Sequence, residues 1–268
     1  MGLPMNDRPI GIFDSGVGGL TVCKAIQDLL PGEHIIYFGD TMRFPYGTRS
    51  RETVIRFSRE ISSYLVSRGV KLIVVACNTA SAVALETLRE EYRIPVIGVI
   101  DAGARAACRG LSGNVIGVIG TRATVSSGSY VKAVGRIRPD VRVLQQHATI
   151  FVTLTEEGWT DTDVTRLTAK RYIQAMYDEG VRVLILGCTH FPLLKKAINE
   201  VFPDLTLIDT GVEIAHEVQE ILREKSLENT GAAGDIELYA SDLTDTLQRL
   251  QEMFFGRSAS PIKKLILP

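Results

Sequence analysis

Val74-Val75-Ala76-Cys77-Asn78-Thr79 and Ile185-Leu186-Gly187-Cys188-Thr189-His190 share one plan. Each carries an apolar run into a small residue, a cysteine and small polar residues, and each leads into a helical pattern. A strand-to-helix corner is where α/β proteins place chemistry. The strand holds the loop, and backbone N–H groups of the following helix face whatever binds. Outward from these corners, apolar runs at 9–13, 34–38, 72–76 and 96–99 read as strands. Between them, 20–30, the face made by Val54, Phe57, Ile61, Tyr64 and Leu65, and 80–92 read as helices. A second set follows, with strands at 114–119, 141–144, 181–186 and 205–208 and helices near 126–137, up to 177 and after Pro192.

Continuous Val, Ile and Leu runs separated by helices indicate strands buried on both faces, hence doubly wound, largely parallel sheets. The one linker-like stretch, 226–234, precedes a further strand-helix-strand over 236–267. No flexible linker parts the two sets, and the tail supplies elements the second set does not need. The expected organisation is a discontinuous first domain, 1–98 plus 210–268, carrying Cys77. The second domain, 99–209, is inserted into it and carries Cys188.

A chain of 268 residues suffices for two domains of ordinary size. Apolar residues make up 45% and charged residues 23%, as in soluble globular proteins. Lys plus Arg number 30 against 31 Asp plus Glu, with no basic run, which argues against nucleic acid or an anionic membrane as partner. The N-terminus, Met1-Gly2-Leu3-Pro4-Met5-Asn6-Asp7, lacks a basic stretch followed by an apolar one, so no signal peptide is expected. Apolar runs fall short of the roughly 20 residues of a spanning helix. A cytoplasmic protein is expected.

Four cysteines stand at 23, 77, 108 and 188, none at zinc-ribbon or Cys-x-x-Cys spacing. Cys23 and Cys108 lie in helical patterns and read as small core residues. Cys77 and Cys188 stand apart because they share a context. A thiol with a pKa of about 8.5, lowered at a helix N-terminus, is available as thiol or thiolate near neutral pH. Two matched thiols on two units suit a racemase, in which a base takes a proton from one face of a carbon and an acid returns one to the other.

The Gly-rich turn Phe13-Asp14-Ser15-Gly16-Val17-Gly18-Gly19-Leu20 opens a helix after the first strand. A dinucleotide fingerprint with Asp40 as ribose acceptor fits it poorly. Thr21 occupies the third glycine position, and Asp14 would repel a pyrophosphate. An Asp14-Ser15 pair is better suited to an ammonium group and a carboxylate. Asn78-Thr79 and Thr189-His190 offer donors to a substrate carboxylate, and His190 can polarise the Cys188 thiol. His34, His147 and His216 receive no role. Thr121 reads as an N-cap whose helix end also suits a carboxylate. Glu156-Glu157-Gly158-Trp159 reads as a helix end, or as a carboxylate placed near a thiol or a substrate ammonium group.

With these residues in place, the chain resembles the glutamate racemases of the aspartate/glutamate racemase superfamily. The pieces run in family order over roughly 9–210: Gly11 to Val22, Gly39-Asp40-Thr41 with Pro45-Tyr46-Gly47, Ala76 to Ser81, Gly117 to Thr124, and Leu186 to Leu194. The resemblance implies two α/β domains related by pseudo-twofold symmetry and facing each other across a cleft. Cys77 and Cys188 would lie on opposite sides of the α-carbon of glutamate. It implies no pyridoxal phosphate and no metal, D-glutamate made for peptidoglycan in a bacterial cytoplasm, and a homodimer. It assigns Asp14 to assist Cys77, and Glu156 with His190 to assist Cys188. Asp14, Ser15, Tyr46, Gly47, Asn78, Thr79, Thr121, Thr124, Thr189 and His190 would hold substrate. The stretch before Glu156, from His147 to Thr155, departs from the usual Cys-Pro and second proline. The N-terminal extension linked to activation by a cell-wall precursor is not expected here.

An aspartate or hydantoin racemase would share the cysteine pair, but the Asp-Ser-Gly-Val-Gly-Gly and Gly-Cys-Thr-His blocks favour glutamate. A non-catalytic two-lobed acid binder has no need of a thiol at each corner. A thiol-disulfide enzyme would keep its cysteines close together.

Overall fold

The computed structural model describes residues 4–229, 231, 233–256 and 261–267. Residues 1–3 of the N-terminal reading, 230 and 232 of the linker-like stretch, and 257–260 and 268 of the tail lie outside the described residues.

The chain begins with β1 (Ile10–Asp14), α1 (Leu20–Leu29), β2 (Ile35–Gly39), α2 (Arg51–Ser67), β3 (Leu72–Val75), α3 (Asn78–Glu91) and β4 (Val96–Gly98). It continues through α4 (Val99–Arg109), β5 (Val115–Gly120), α5 (Arg122–Ser126), α6 (Ser129–Ile137), β6 (Arg142–His147), α7 (Ile150–Glu156) and α8 (Asp163–Asp178). Then come β7 (Val183–Gly187), α9 (Lys195–Val201), β8 (Thr206–Asp209), α10 (Thr210–Glu224), β9 (Ile236–Ala240), α11 (Asp245–Phe255) and β10 (Lys263–Lys264). Local sequence explains the limits. Ser50 caps α2 by accepting the Thr53 N–H at 3.3 Å, and Val54, Phe57, Ile61 and Leu65 bury one face. Gly69, at φ +76°, turns the chain after the last turn of α2.

One sheet has the order β10-β9-β2-β1-β3-β4, the other β6-β5-β7-β8, and every pairing is parallel. The run 2-1-3-4 in the first sheet is repeated as 6-5-7-8 in the second. β3 therefore corresponds to β7, and the two cysteines follow equivalent strands. Each lies beside the strand from which the chain winds both ways, at the crevice where α/β sheets bind ligands. Both faces of each sheet are covered. Ile10, Ile12 and Val74 pack with α1 and α10, while Phe13, Ile73 and Val75 pack with α2 and α3. Leu184 and Leu186 face α7, α8 and α9, while Val183 and Ile185 face α4 and α6. Burial on both faces is what the unbroken apolar runs require. Cys23 and Cys108 lie in these cores, as expected of small apolar side chains.

The helix expected near 126–137 is α6, which starts at Ser129 once Gly128 takes φ +64° and separates it from α5. The helix ending near 177 is preceded by a separate α7, parted from it after Gly158 at φ +77°. Left-handed backbone is open to glycine and ends a helix. The strand read at 141–144 runs on to His147, because β6 is an edge strand that tolerates the polar Gln145-Gln146-His147.

A buried ion pair pins the N-terminal segment and the stretch after α10 to the first sheet. Lys71 Nζ lies 2.5 Å from Glu33 Oε2 and donates to the carbonyls of Asn6 and Leu227 at 2.6 and 2.7 Å. Glu33 Oε1 accepts the Asn229 N–H at 2.7 Å. Lys71→Met would leave the Glu33 carboxylate unpaired in the dry interior. It is expected to destabilise the fold by about 3–5 kcal/mol in urea denaturation, with turnover of the folded fraction unchanged.

Candidate active site

Both cysteine corners open onto one cavity of about 120 Å³ between the two sheets. One side is walled by Ser15, the 44–48 loop and Cys77-Asn78-Thr79; the other by Thr121, Cys188-Thr189-His190 and the α7 residues Thr149, Val152, Thr153 and Glu156. A wider groove of about 610 Å³ runs along α2, α3, α5 and α6. It is lined by Arg, Lys, Glu, Asp and Ser side chains but by no cysteine or histidine, so the thiols and the imidazole belong to the smaller chamber.

Cys77 is the N-cap of α3, and its thiol donates to the Ser15 hydroxyl at 3.5 Å. Burial, reinforced by the negative charge of Asp14, pushes this thiol up to about 12 against the opposing pull of the Ser15 bond. Asp14 closes β1 and is fully buried. Its Oδ2 accepts the N–H groups of Gly16 and Gly19 at 3.1 and 3.0 Å, while Oδ1 has no hydrogen-bond partner among the described residues. Burial raises the Asp14 carboxyl above the usual carboxylate range, although His190 and the loop amides draw it down. Asp14 and Thr124 do not line the cavity; both sit wholly within the protein at its back.

Cys188 faces a relay. His190 Nδ1 lies 3.8 Å from the Cys188 sulfur, and His190 Nε2 lies 3.2 Å from Glu156 Oε1. Burial disfavours an imidazolium here. Hydrogen bonds with Cys188 and Glu156, together with the negative charges of Cys188 and Asp14, outweigh it and raise His190 to about 10. At neutral pH a cation therefore stands beside the Cys188 sulfur. Phe44 covers the imidazole, with ring centroids 5.9 Å apart. Arg249 of α11 donates to the Glu156 carbonyl from the other unit.

Hydroxyls form the remaining wall. Thr79 and Thr121 are 3.0 Å apart, and Thr124 lies 3.0 Å from Thr121 and 3.4 Å from Thr79. Thr121 also caps α5. Tyr46 lines the chamber, but its hydroxyl is engaged by Asp40, which also accepts from Arg43 Nε at 2.7 Å and Ser241 at 3.0 Å. Asp40 is thus consumed in holding the loop and is not available as a ribose acceptor. Two glycines set how closely the units approach. A methyl group at Gly18 would lie 2.4 Å from Thr189 Oγ1 and 2.6 Å from His190 Nδ1, and one at Gly47 would lie 2.9 Å from Thr121 Cβ. Thr21 ties the same contact by donating to the Thr189 carbonyl at 3.2 Å.

Of the residues expected from sequence, Ser15, Tyr46, Gly47, Cys77, Asn78, Thr79, Thr121, Glu156, Cys188, Thr189 and His190 share the chamber. Thr149, Val152 and Thr153 were not foreseen. They stand seven, four and three residues before Glu156, so the helical period of α7 puts all four on one face. Among the described residues, no group of three or more His, Cys, Asp or Glu side chains is gathered as metal ligands would be. No described helix is long and apolar enough to cross a membrane.

The family profile described as Asp/Glu/hydantoin racemase matches residues 10–218. The chain is 48% identical over 262 residues to the glutamate racemase of Geobacter metallireducens, covering 97% of each. Its fold superposes with TM-score 0.91 and 37% identity on the glutamate racemase of Francisella tularensis solved with D-glutamate, covering 97% of this chain and 98% of that one. A glutamate racemase isoform of Bacillus anthracis gives TM-score 0.94 at 37% identity, covering 98% and 99%.

Proposed function

The chain belongs to the Asp/Glu/hydantoin racemase family, and from that membership we propose that it interconverts L- and D-glutamate with Cys77 and Cys188 as paired acid and base. The observation that carries the reading is the placement of two thiols, on equivalent strand-to-helix corners of two sheets, in the walls of one small chamber. The names of the similar curated proteins and the D-glutamate bound to the Francisella enzyme support glutamate as substrate.

In the L-to-D direction the Cα–H bond breaks, its proton goes to the Cys188 sulfur, and the electron pair stays on the α-carbon. The S–H bond of Cys77 then breaks and its proton forms the new Cα–H bond on the opposite face. The two sites are unequal in the way this direction needs. His190 supplies a cation beside Cys188, while burial and Asp14 keep Cys77 a thiol. Ser15, Asn78, Thr79, Thr121 and Thr189 supply neutral donors at the walls for two carboxylates, and the helix N-terminus at Asn78 adds to their pull. Glu156 orients His190 through Nε2 and stabilises its charge.

The same proposal takes 1–98 plus 210–268 and 99–209 as the two domains, on the strength of which strands share a sheet. It includes a homodimer, and a cytoplasmic role supplying D-glutamate to peptidoglycan. Four free, buried thiols suit a reducing compartment.

Loss of optical rotation is the test, with purified protein and L-glutamate or L-aspartate and no added cofactor. Rapid racemisation of glutamate with little of aspartate supports the reading, and the reverse preference overturns the substrate. Gly18→Ala probes the contact between the units. Its methyl group must displace Thr189 and His190, so kcat/KM is expected to fall about 100-fold while circular dichroism shows an intact fold.

A further inference from the structure

Tyr130 of α6 touches both cysteine corners. It is fully buried, and its hydroxyl lies 2.6 Å from Oδ1 of Asn78, the residue after Cys77. Its ring rests on Gly187, the residue before Cys188, where an added methyl group would come within 3.1 Å of Cε2. Asn78 is 2% exposed, and its Nδ2 has no hydrogen-bond partner among the described residues. Only one orientation of the amide satisfies the phenol. If the NH2 group faced Tyr130, the buried O–H would have no acceptor among the described residues, and an unpaired buried donor is costly. Burial, with the Cys188 charge adding to it, raises the phenol well above its ordinary range, so it stays a donor. Oδ1 therefore faces Tyr130, and the two N–H bonds of Nδ2 are left at the chamber wall that Asn78 lines.

We propose that Tyr130 is a positioning residue: it locks the Asn78 amide so that its NH2 group is presented to a carboxylate of the substrate, and by resting on Gly187 it sets that donor against the Cys188 corner. This rests on the racemase reading of the chamber. Binding, rather than proton transfer, is what the lock serves, since the two sulfurs bond Ser15 and His190 and not Asn78.

Tyr130→Phe keeps the ring and removes only the hydroxyl. KM for glutamate is expected to rise about five- to tenfold with kcat within about twofold. In an Asn78→Ala background the same change should add less than about twofold, because the group being positioned is gone. An unchanged KM in Tyr130→Phe, or an equal rise in the Asn78→Ala background, would overturn the proposal. Asn78→Asp supplies a second reading should Tyr130→Phe misfold. It keeps an acceptor for Tyr130 but offers no donor, so its KM should rise at least as far as that of Asn78→Ala, and a wild-type KM there would also overturn the lock. Wild-type protein is assayed alongside: failure to racemise glutamate would overturn the functional reading and this proposal with it, whereas normal turnover with an unmoved KM in Tyr130→Phe overturns the lock alone.

Discussion

Cys77→Ser and Cys188→Ser are each expected to lose about 10²- to 10⁴-fold in racemisation rate, the usual contribution of a positioned acid or base. Serine keeps the size of the side chain and can still hydrogen-bond. Its hydroxyl, however, is a far weaker acid than a thiol and forms no useful base near neutral pH. Neither loss should be rescued by the other cysteine, because each stands on its own corner with its own neighbours: Ser15 and Asp14 for Cys77, His190 and Glu156 for Cys188. Cys23→Ala and Cys108→Ala remove side chains packed in the cores and should lower stability while leaving kcat within about twofold. Steady-state rates from both enantiomers decide the matter. Either serine variant retaining most of the wild-type rate would contradict paired acid-base chemistry.

The second large effect separates the faces. A glutamate analogue with a leaving group at the β-carbon needs only the first deprotonation. The Cα–H proton passes to sulfur, its electron pair forms the Cα=Cβ bond, and the leaving group departs with its own pair. With Cys188 on the L face and Cys77 on the D face, Cys77→Ser should keep elimination from the L analogue and lose it from the D analogue, and Cys188→Ser should do the reverse. His190→Asn and Glu156→Gln should follow Cys188, reducing elimination from L far more than from D. The pH dependence has a stated sign. His190 is protonated below about 10, so elimination from L should decline as pH rises through that value and the cation beside Cys188 is lost. A variant losing both eliminations equally would show the thiols acting as one unit.

The repeated strand order and the two cysteine corners were legible because buried parallel strands write themselves as unbroken apolar runs, each ended by small residues where the chain must turn tightly. Helix breaks were less legible. The stop at Gly158, φ +77°, is legible in Glu156-Glu157-Gly158-Trp159, whereas Gly128, φ +64°, lies just inside the stretch read as one helix, and its backbone angle is what reveals the interruption. Side-chain roles divided along similar lines. Cys188, His190 and the α7 carboxylate are brought together, while Asp14 spends one oxygen on the amides of its own loop and stays out of the chamber. The Tyr46 hydroxyl is engaged by Asp40, which no motif foretells. Tyr130 was invisible in sequence because its meaning comes from contacts with Asn78 and Gly187, on different elements and far along the chain. The same is true of Gly18, which reads as a turn glycine and proves to be a contact point between the units.

The most direct test of two thiols acting on opposite faces is the fate of the α-hydrogen in deuterated water. L-glutamate is incubated with the enzyme in deuterated water, and both enantiomers are recovered before a tenth of the substrate has turned over. The D-glutamate formed should carry deuterium at the α-carbon, delivered by the Cys77 thiol, while the recovered L-glutamate keeps its original hydrogen. Product retaining the original hydrogen, or deuterium entering both enantiomers at the same initial rate, would mean that a single group serves both faces and would contradict the account.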